Sequence, residues 1–187
     1  MAMGQYCPVL QVVGYQGSGK TTLMEKLIQR AARSGMKTAA LKHHGHTGNL
    51  KRPDSHPKDS MRHKQAGAFL AAASGSGQLQ LEVDTSPDLQ ELLTFYRYFN
   101  PDIIFVEGYK QEHYPKVVLL QSIRDISLLR ECSNVTCAVT SISLQEKIDV
   151  PCFFRSDDKH YLDFILNEME VADDNGSLRN HKPTDFC

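Results

Sequence analysis

Residues 14–21 read Gly14-Tyr15-Gln16-Gly17-Ser18-Gly19-Lys20-Thr21, an ungapped match to G-x-x-x-x-G-K-[ST]. No other stretch constrains the fold as much, because this pattern works only with a strand before it and a helix after it. Both are written in the chain. Cys7–Val13 (CPVLQVV) is a short apolar run, the signature of a buried strand. From Lys20 onward, Leu23, Leu27, Ile28 and Ala31 recur on one helical face, and Gly35 stands just past the end as a C-cap. Met36–Lys42 (MKTAALK) reads as a second strand. Strand, loop, helix and strand in this order predict an α/β fold with a mostly parallel sheet and right-handed crossovers.

The loop's residue types suit a triphosphate. Glycines let the backbone curl so that successive N–H groups point at phosphate oxygens. The helix that follows adds the positive end of its dipole. Gly14, Gln16, Gly17, Ser18, Gly19, Lys20, Thr21 and Thr22 are therefore the nucleotide-binding candidates. Lys20 reaches the β- and γ-phosphates, and the Thr21 hydroxyl ligates Mg²⁺. Such a site also needs an acid at the end of another buried strand. Asp102–Glu107 (DIIFVE) is the clearest buried strand of the chain, and Glu107 ends it directly before Gly108. These motifs predict a purine nucleoside triphosphate as ligand.

The rest of the chain continues the alternation. Asp59–Ala66 reads as a short helix. Ala68–Ala73 and Gln78–Val83 read as strands joined by the turn-prone Ser74–Gly77. Ser86-Pro87-Asp88 starts a helix, with Ser86 as N-cap and Leu89, Leu92, Leu93 and Tyr96 as its apolar stripe. Lys116–Gln121, Val135–Val139 and Cys152–Phe154 are further strands, and Asp158–Glu170 is a closing helix. Residues 1–170 make one nucleotide-binding domain. The polar residues 171–187 read as a disordered tail.

Five of the eight histidines fall between residues 43 and 63, so that segment needs an explanation of its own. Lys42-His43-His44-Gly45-His46 opens a long polar loop, and long loops are uncommon without a function. In the helix after it, Asp59, Arg62 and His63 share one face at i, i+3 and i+4. A carboxylate, a guanidinium and an imidazole together suit Mg²⁺ and a phosphorylated ligand. The loop histidines are otherwise solvated, or bind a transition metal.

Bulk properties exclude several classes. Lys and Arg total 21 against 22 Asp and Glu, which lacks the basic excess of a nucleic-acid binder. No apolar run reaches membrane-span length, and the N-terminus carries no cleavable signal pattern. The five cysteines are odd in number and form no C-x-x-C pair, which points to free thiols in a reducing cytoplasm. They read as small apolar packing residues.

Four segments in order, VVGYQGSGKTTLMEKLI, LKHHGH, DSMRHKQAGA and DIIFVEGYKQEHYPKVVLL, resemble the MobB family of molybdopterin-guanine dinucleotide biosynthesis adapter proteins. The resemblance runs from about residue 8 to residue 170. It implies a P-loop NTPase-like sheet with an added β-hairpin region used in dimerisation. It implies a GTP-binding homodimer with weak hydrolysis that assists the guanylyltransferase MobA, with a molybdopterin-type ligand within reach. Lys20, Glu107 and Asp59 become the catalytic set, and Thr21, Glu107 and Asp59 the Mg²⁺ set. Lys42, His43, Arg62, His63 and Lys110 become ligand or partner contacts. One feature departs from many GTPases: no N-K-x-D follows the late strand, where Thr140-Ser141 stands instead. Asp157 and Asp158 either accept from guanine N1 and N2 or charge the first turn of the closing helix. Two other functions fit the same motifs, a metallochaperone GTPase using the histidine loop and a P-loop small-molecule kinase.

Overall fold

The structure is a computed structural model, and it describes residues 7–43, 59–144 and 148–171. The expected histidine loop beyond His43 and the expected tail after Val171 lie outside the described residues. The chain divides into two compact units, one drawn from residues 1–45 and 93–187, the other from residues 46–92.

The larger unit is a six-stranded sheet. Its strands are β1 (Val9–Val13), β2 (Thr38–Lys42), β5 (Ile103–Glu107), β6 (Lys116–Leu120), β7 (Val135–Thr140) and β8 (Cys152–Phe154). Their order is β2-β5-β1-β6-β7-β8, and every pairing is parallel. β1, β5 and β6 are buried at every position, which is why they read as mainly apolar runs rather than alternating ones.

The two sides of β1, β6 and β7 feed different cores. Leu10 and Val12 of β1, with Phe105, Leu119 and Val139, pack under α1 (Lys20–Arg33) and α5 (Asp158–Val171) through Leu23, Leu27, Tyr161, Ile165 and Met169. Val13, Val118, Leu120 and Ala138 face the other way, onto Leu128 of the short α4 (Ser127–Glu131). Cys7, Cys132, Cys137 and Cys152 are buried thiols outside any disulfide, as packing residues would be. α1 ends in a Schellman motif: Met36 N–H donates to Ala31 O at 3.1 Å and Gly35 N–H to Ala32 O at 3.0 Å. Gly35 stands at φ 86°, the conformation a C-cap glycine supplies.

The smaller unit contains α2 (Asp59–Gln65) and an antiparallel hairpin of β3 (Leu70–Gly75) and β4 (Gln78–Val83), turning at Ser76-Gly77. Inside it, Lys64 donates to Phe69 O at 2.6 Å and pairs with Asp84 at 2.5 Å. α3 (Leu89–Arg97) then leads back to the sheet unit.

One sequence expectation needs correction. The helix expected from Ser86 starts at Leu89, and Asp88 caps it. Glu91 N–H donates to Asp88 Oδ1 at 2.8 Å and Asp88 N–H to Glu91 Oε2 at 3.0 Å, a reciprocal capping box that binds two otherwise unpaired donors. Between β6 and β7, a 3-10 turn at Ile123–Ile126 runs into α4. Asp125 anchors it by accepting from Gln121 N–H at 2.7 Å and Ser122 N–H at 3.0 Å. Burial works against the Asp125 carboxylate, but these donors outweigh it and hold its pKa below the ordinary value.

Candidate functional site

The site is built at the C-terminal edge of the sheet, where β1 turns into α1. Gly14 allows the turn because a Cβ there would stand 2.5 Å from Ser18 Oγ. Gly19 is the N-cap of α1 at φ 87°, and no side chain caps the helix. No acidic residue sits in its first turn either. The first amides of a helix have no partner in their own ladder, so this end is left for an anion. Ser18 Oγ is buried without a hydrogen-bond partner in the described structure, a donor beside the same loop.

Lys20 folds back over the loop, and its ammonium donates to Gly14 O at 3.0 Å and Tyr15 O at 2.8 Å. Burial lowers its pKa, Glu107 opposes that shift and Lys42 adds to it. Thr21 Oγ1 lies 3.3 and 3.1 Å from the two carboxylate oxygens of Glu107. The sheet register makes this meeting possible. Glu107 pairs with Val12 on one side and with Lys42 on the other, so the acid ends its strand level with the start of the phosphate loop. Lys42 Nζ stands 3.2 Å from Glu107 Oε1 and 3.3 Å from Thr21 Oγ1. Lys20, Thr21, Lys42 and Glu107 thus form one cluster. Its hydroxyl and carboxylate oxygens are hard donors, the kind Mg²⁺ takes, and its ammonium groups suit phosphate.

His43 joins the edge of this cluster. Its N–H donates to Glu107 O at 2.9 Å, and its ring lies 4.2 Å from the Tyr109 ring. Lys110 turns elsewhere, to Glu131 at 3.4 Å. Arg62 and His63 are exposed on α2, in the second unit, and the Asp59 side chain lies outside the described residues. His44 and His46 also lie outside them. Among the described residues no three His, Cys, Asp or Glu groups form a metal-holding set.

The acids proposed for base reading are already engaged. Asp158 accepts from Lys26 at 2.8 and 2.6 Å and from Tyr161 OH at 2.6 Å. Lys26 and Tyr161 hold its pKa below the ordinary carboxylate value, against a smaller opposing effect of burial. Asp157 lies 2.6 Å from His160 Nδ1. The Thr140 hydroxyl closes its own turn on Ile142.

Three residues at the site escape a motif reading. Gln11, buried on β1, donates to Gly108 O at 3.0 Å and Tyr109 O at 2.7 Å and so fixes the turn after Glu107. Gln121, just after β6, donates to Gly17 O at 2.9 Å. Arg155, just after β8, donates through Nη2 to Ser18 O. Each grips the loop or the turn after the acid from a distant part of the chain, and a polar side chain within or just after an apolar strand is the only cue to it in the sequence.

Known proteins share this architecture and more. A family model described as molybdopterin guanine dinucleotide synthesis protein B matches residues 9–142. A probable molybdopterin-guanine dinucleotide biosynthesis adapter protein of Bacillus subtilis (strain 168) is 35% identical over 171 residues, which is 91% of this chain and 98% of that protein. The adapter protein of Escherichia coli (strain K12) is 32% identical and aligns with 65% of this chain and 70% of its own. Among solved structures, the MobB protein homolog from Bacillus stearothermophilus superposes with a TM-score of 0.72 at 35% identity, covering 87% of this chain and 98% of its own. Bacillus subtilis MobB superposes with a TM-score of 0.73 at 33% identity, covering 88% and 99%. A six-stranded parallel sheet, a phosphate loop facing a strand-end glutamate, and a family match across residues 9–142 lead to one assignment: the chain belongs to the MobB family.

Proposed function

We propose that this chain is a GTP-binding adapter in the making of molybdopterin guanine dinucleotide, assisting a MobA-like guanylyltransferase in the cytoplasm and hydrolysing GTP only weakly. The observation that carries the reading is the Lys20–Thr21–Glu107 cluster at the N-terminus of α1, in a chain of the MobB family. Lys20 and the loop amides hold the phosphates. Thr21 and Glu107 would hold Mg²⁺. When bound, the ion neutralises phosphate charge. Lys42 balances the Glu107 carboxylate at 3.2 Å. His43, Arg62, His63 and Lys110 are assigned to the molybdopterin-type ligand or to the partner enzyme.

The same reading makes the protein a homodimer. Leu79, Leu81 and Val83 alternate along one face of β4 and remain 55%, 40% and 36% exposed, an apolar stripe suited to a second copy. Among the described residues no helix is long and apolar enough to cross a membrane.

Competition of GTP and ATP for the chain, with and without Mg²⁺, tests the proposal. It expects GTP to compete at least about 10-fold better and Mg²⁺ to tighten binding, in keeping with base contacts worth 1–3 kcal/mol. Absence of triphosphate binding under either condition would overturn it.

A further inference from the structure

We propose that Arg155 reads the base of the bound nucleotide, offering its guanidinium fork to the O6 and N7 edge of guanine. The inference rests on the nucleotide-binding reading above and supplies what the missing N-K-x-D leaves open.

Position comes first. Arg155 is the first residue after β8, and its N–H donates to Thr140 O at 2.8 Å, which fixes it between the ends of β7 and β8. The side chain then crosses to the phosphate loop. Nη2 donates to Ser18 O, and the guanidinium lies so close to Gly19 that a Cβ there would stand 2.8 Å from Nη2 and 3.1 Å from Nη1. Phosphates held on Gly17–Thr21 would therefore lie beside this guanidinium. Arg155 also lines a cavity of about 70 Å³ with Gly19, Thr22, Lys26 and Tyr161. A single water needs about 10–15 Å³ of such space, so several would fit, enough for the edge of a ring.

Availability comes second. Among the described residues, the acids and the Thr140 hydroxyl at this edge are committed: Asp158 to Lys26 and Tyr161, Asp157 to His160, and Thr140 to its own turn. Arg155 donates to a carbonyl, and among the described residues no carboxylate pairs with it. A guanidinium carries five N–H donors in a planar fork, so most of its capacity remains.

Chemistry comes third. Guanine presents two acceptors side by side, O6 and N7, and a guanidinium meets them with two parallel N–H groups. Adenine presents N7 beside an amino donor, which faces the fork donor to donor. Arg155 therefore selects guanine without any carboxylate at N1 and N2.

Titration calorimetry of the full chain with Mg-GTP, Mg-ATP and Mg-7-deaza-GTP tests this. The unaltered chain is expected to prefer GTP to ATP and to 7-deaza-GTP by about 10-fold. Arg155→Ala should bind all three within about 2-fold of one another, at the affinity the phosphates alone provide. Arg155→Lys keeps the charge beside Ser18 but not the fork, so it too should lose most of the preference, and it guards against misfolding of the alanine variant. An unaltered chain that binds 7-deaza-GTP as tightly as GTP overturns the inference, as does a preference that survives both variants. A chain that binds no triphosphate overturns the nucleotide-binding reading as well.

Discussion

Strands β5 and β4 are both rich in aliphatic residues, yet the structure treats them oppositely. IIFVE of β5 is buried at all positions, while in QLQLEV of β4 only Glu82 is even half-buried. The difference lies in what each strand is written for. β5 is apolar on both sides and buried at every position, with Ile103 and Phe105 in the core under α1 and α5. β4 is apolar on alternate residues, the pattern of a sheet with one face to hide. In the described hairpin, Leu81 and Val83 sit opposite Ala72 and Leu70, and this face stays largely exposed. One unit buries its strands and holds the Lys20–Thr21–Glu107 cluster. The other offers a surface.

Substitutions should keep these two roles apart. The largest effect belongs to the sheet core: Phe105→Ala removes a fully buried ring and should cost about 3–5 kcal/mol by denaturant unfolding. Should the loss be as small as at an exposed site, the sheet would not be the stabilising unit. Next, Glu107→Gln keeps the shape of the strand end but not its charge. The benefit of Mg²⁺ for nucleotide binding should fall about 10- to 100-fold, consistent with a charge-assisted contact worth 1.5–3 kcal/mol. An unchanged Mg²⁺ dependence would remove Glu107 from the metal site.

Leu79→Ser with Leu81→Ser should weaken self-association in sedimentation while leaving GTP affinity within about 2-fold, since surface changes seldom exceed 0.5 kcal/mol. If nucleotide affinity collapsed with the dimer, the two units would not be separable. The smallest effect concerns acid. Lys26 and Tyr161 depress the Asp158 pKa, so the carboxylate stabilises the fold fully above its unfolded pKa. That contribution is lost as pH falls through the lower folded pKa. Asp158 is 47% exposed, so solvent screening keeps it under about 1 kcal/mol. Asp158→Asn should flatten the stability-pH curve in that acid range, and an unaltered curve would show the pair to be inert.

The two regions were not equally legible in the sequence, and neither were the parts of the site. The phosphate loop and Glu107 are local signals, a contiguous octapeptide and a charge ending an apolar run, so motif chemistry reaches them. The cluster needs one further fact, that β5 lies between β1 and β2, and the register of Lys42 and Val12 on Glu107 supplies it. Gln11, Gln121 and Arg155 meet partners 97, 104 and 137 residues away, so nothing local marks them. The α3 start was misplaced because Ser-Pro-Asp is a strong cue by itself. The Asp88-x-x-Glu91 box outcompetes it by pairing two backbone donors instead of one.

The central claim is that the loop at residues 14–21 holds a triphosphate through Lys20. Calorimetric titration of Mg-GTP into the chain and into Lys20→Ala tests it directly. Binding should weaken by about 100-fold or more in the variant, the equivalent of a charge-assisted contact near 3 kcal/mol, with the circular dichroism spectrum and Tm unchanged. A folded Lys20→Ala protein that binds GTP as tightly as the unaltered chain would contradict it.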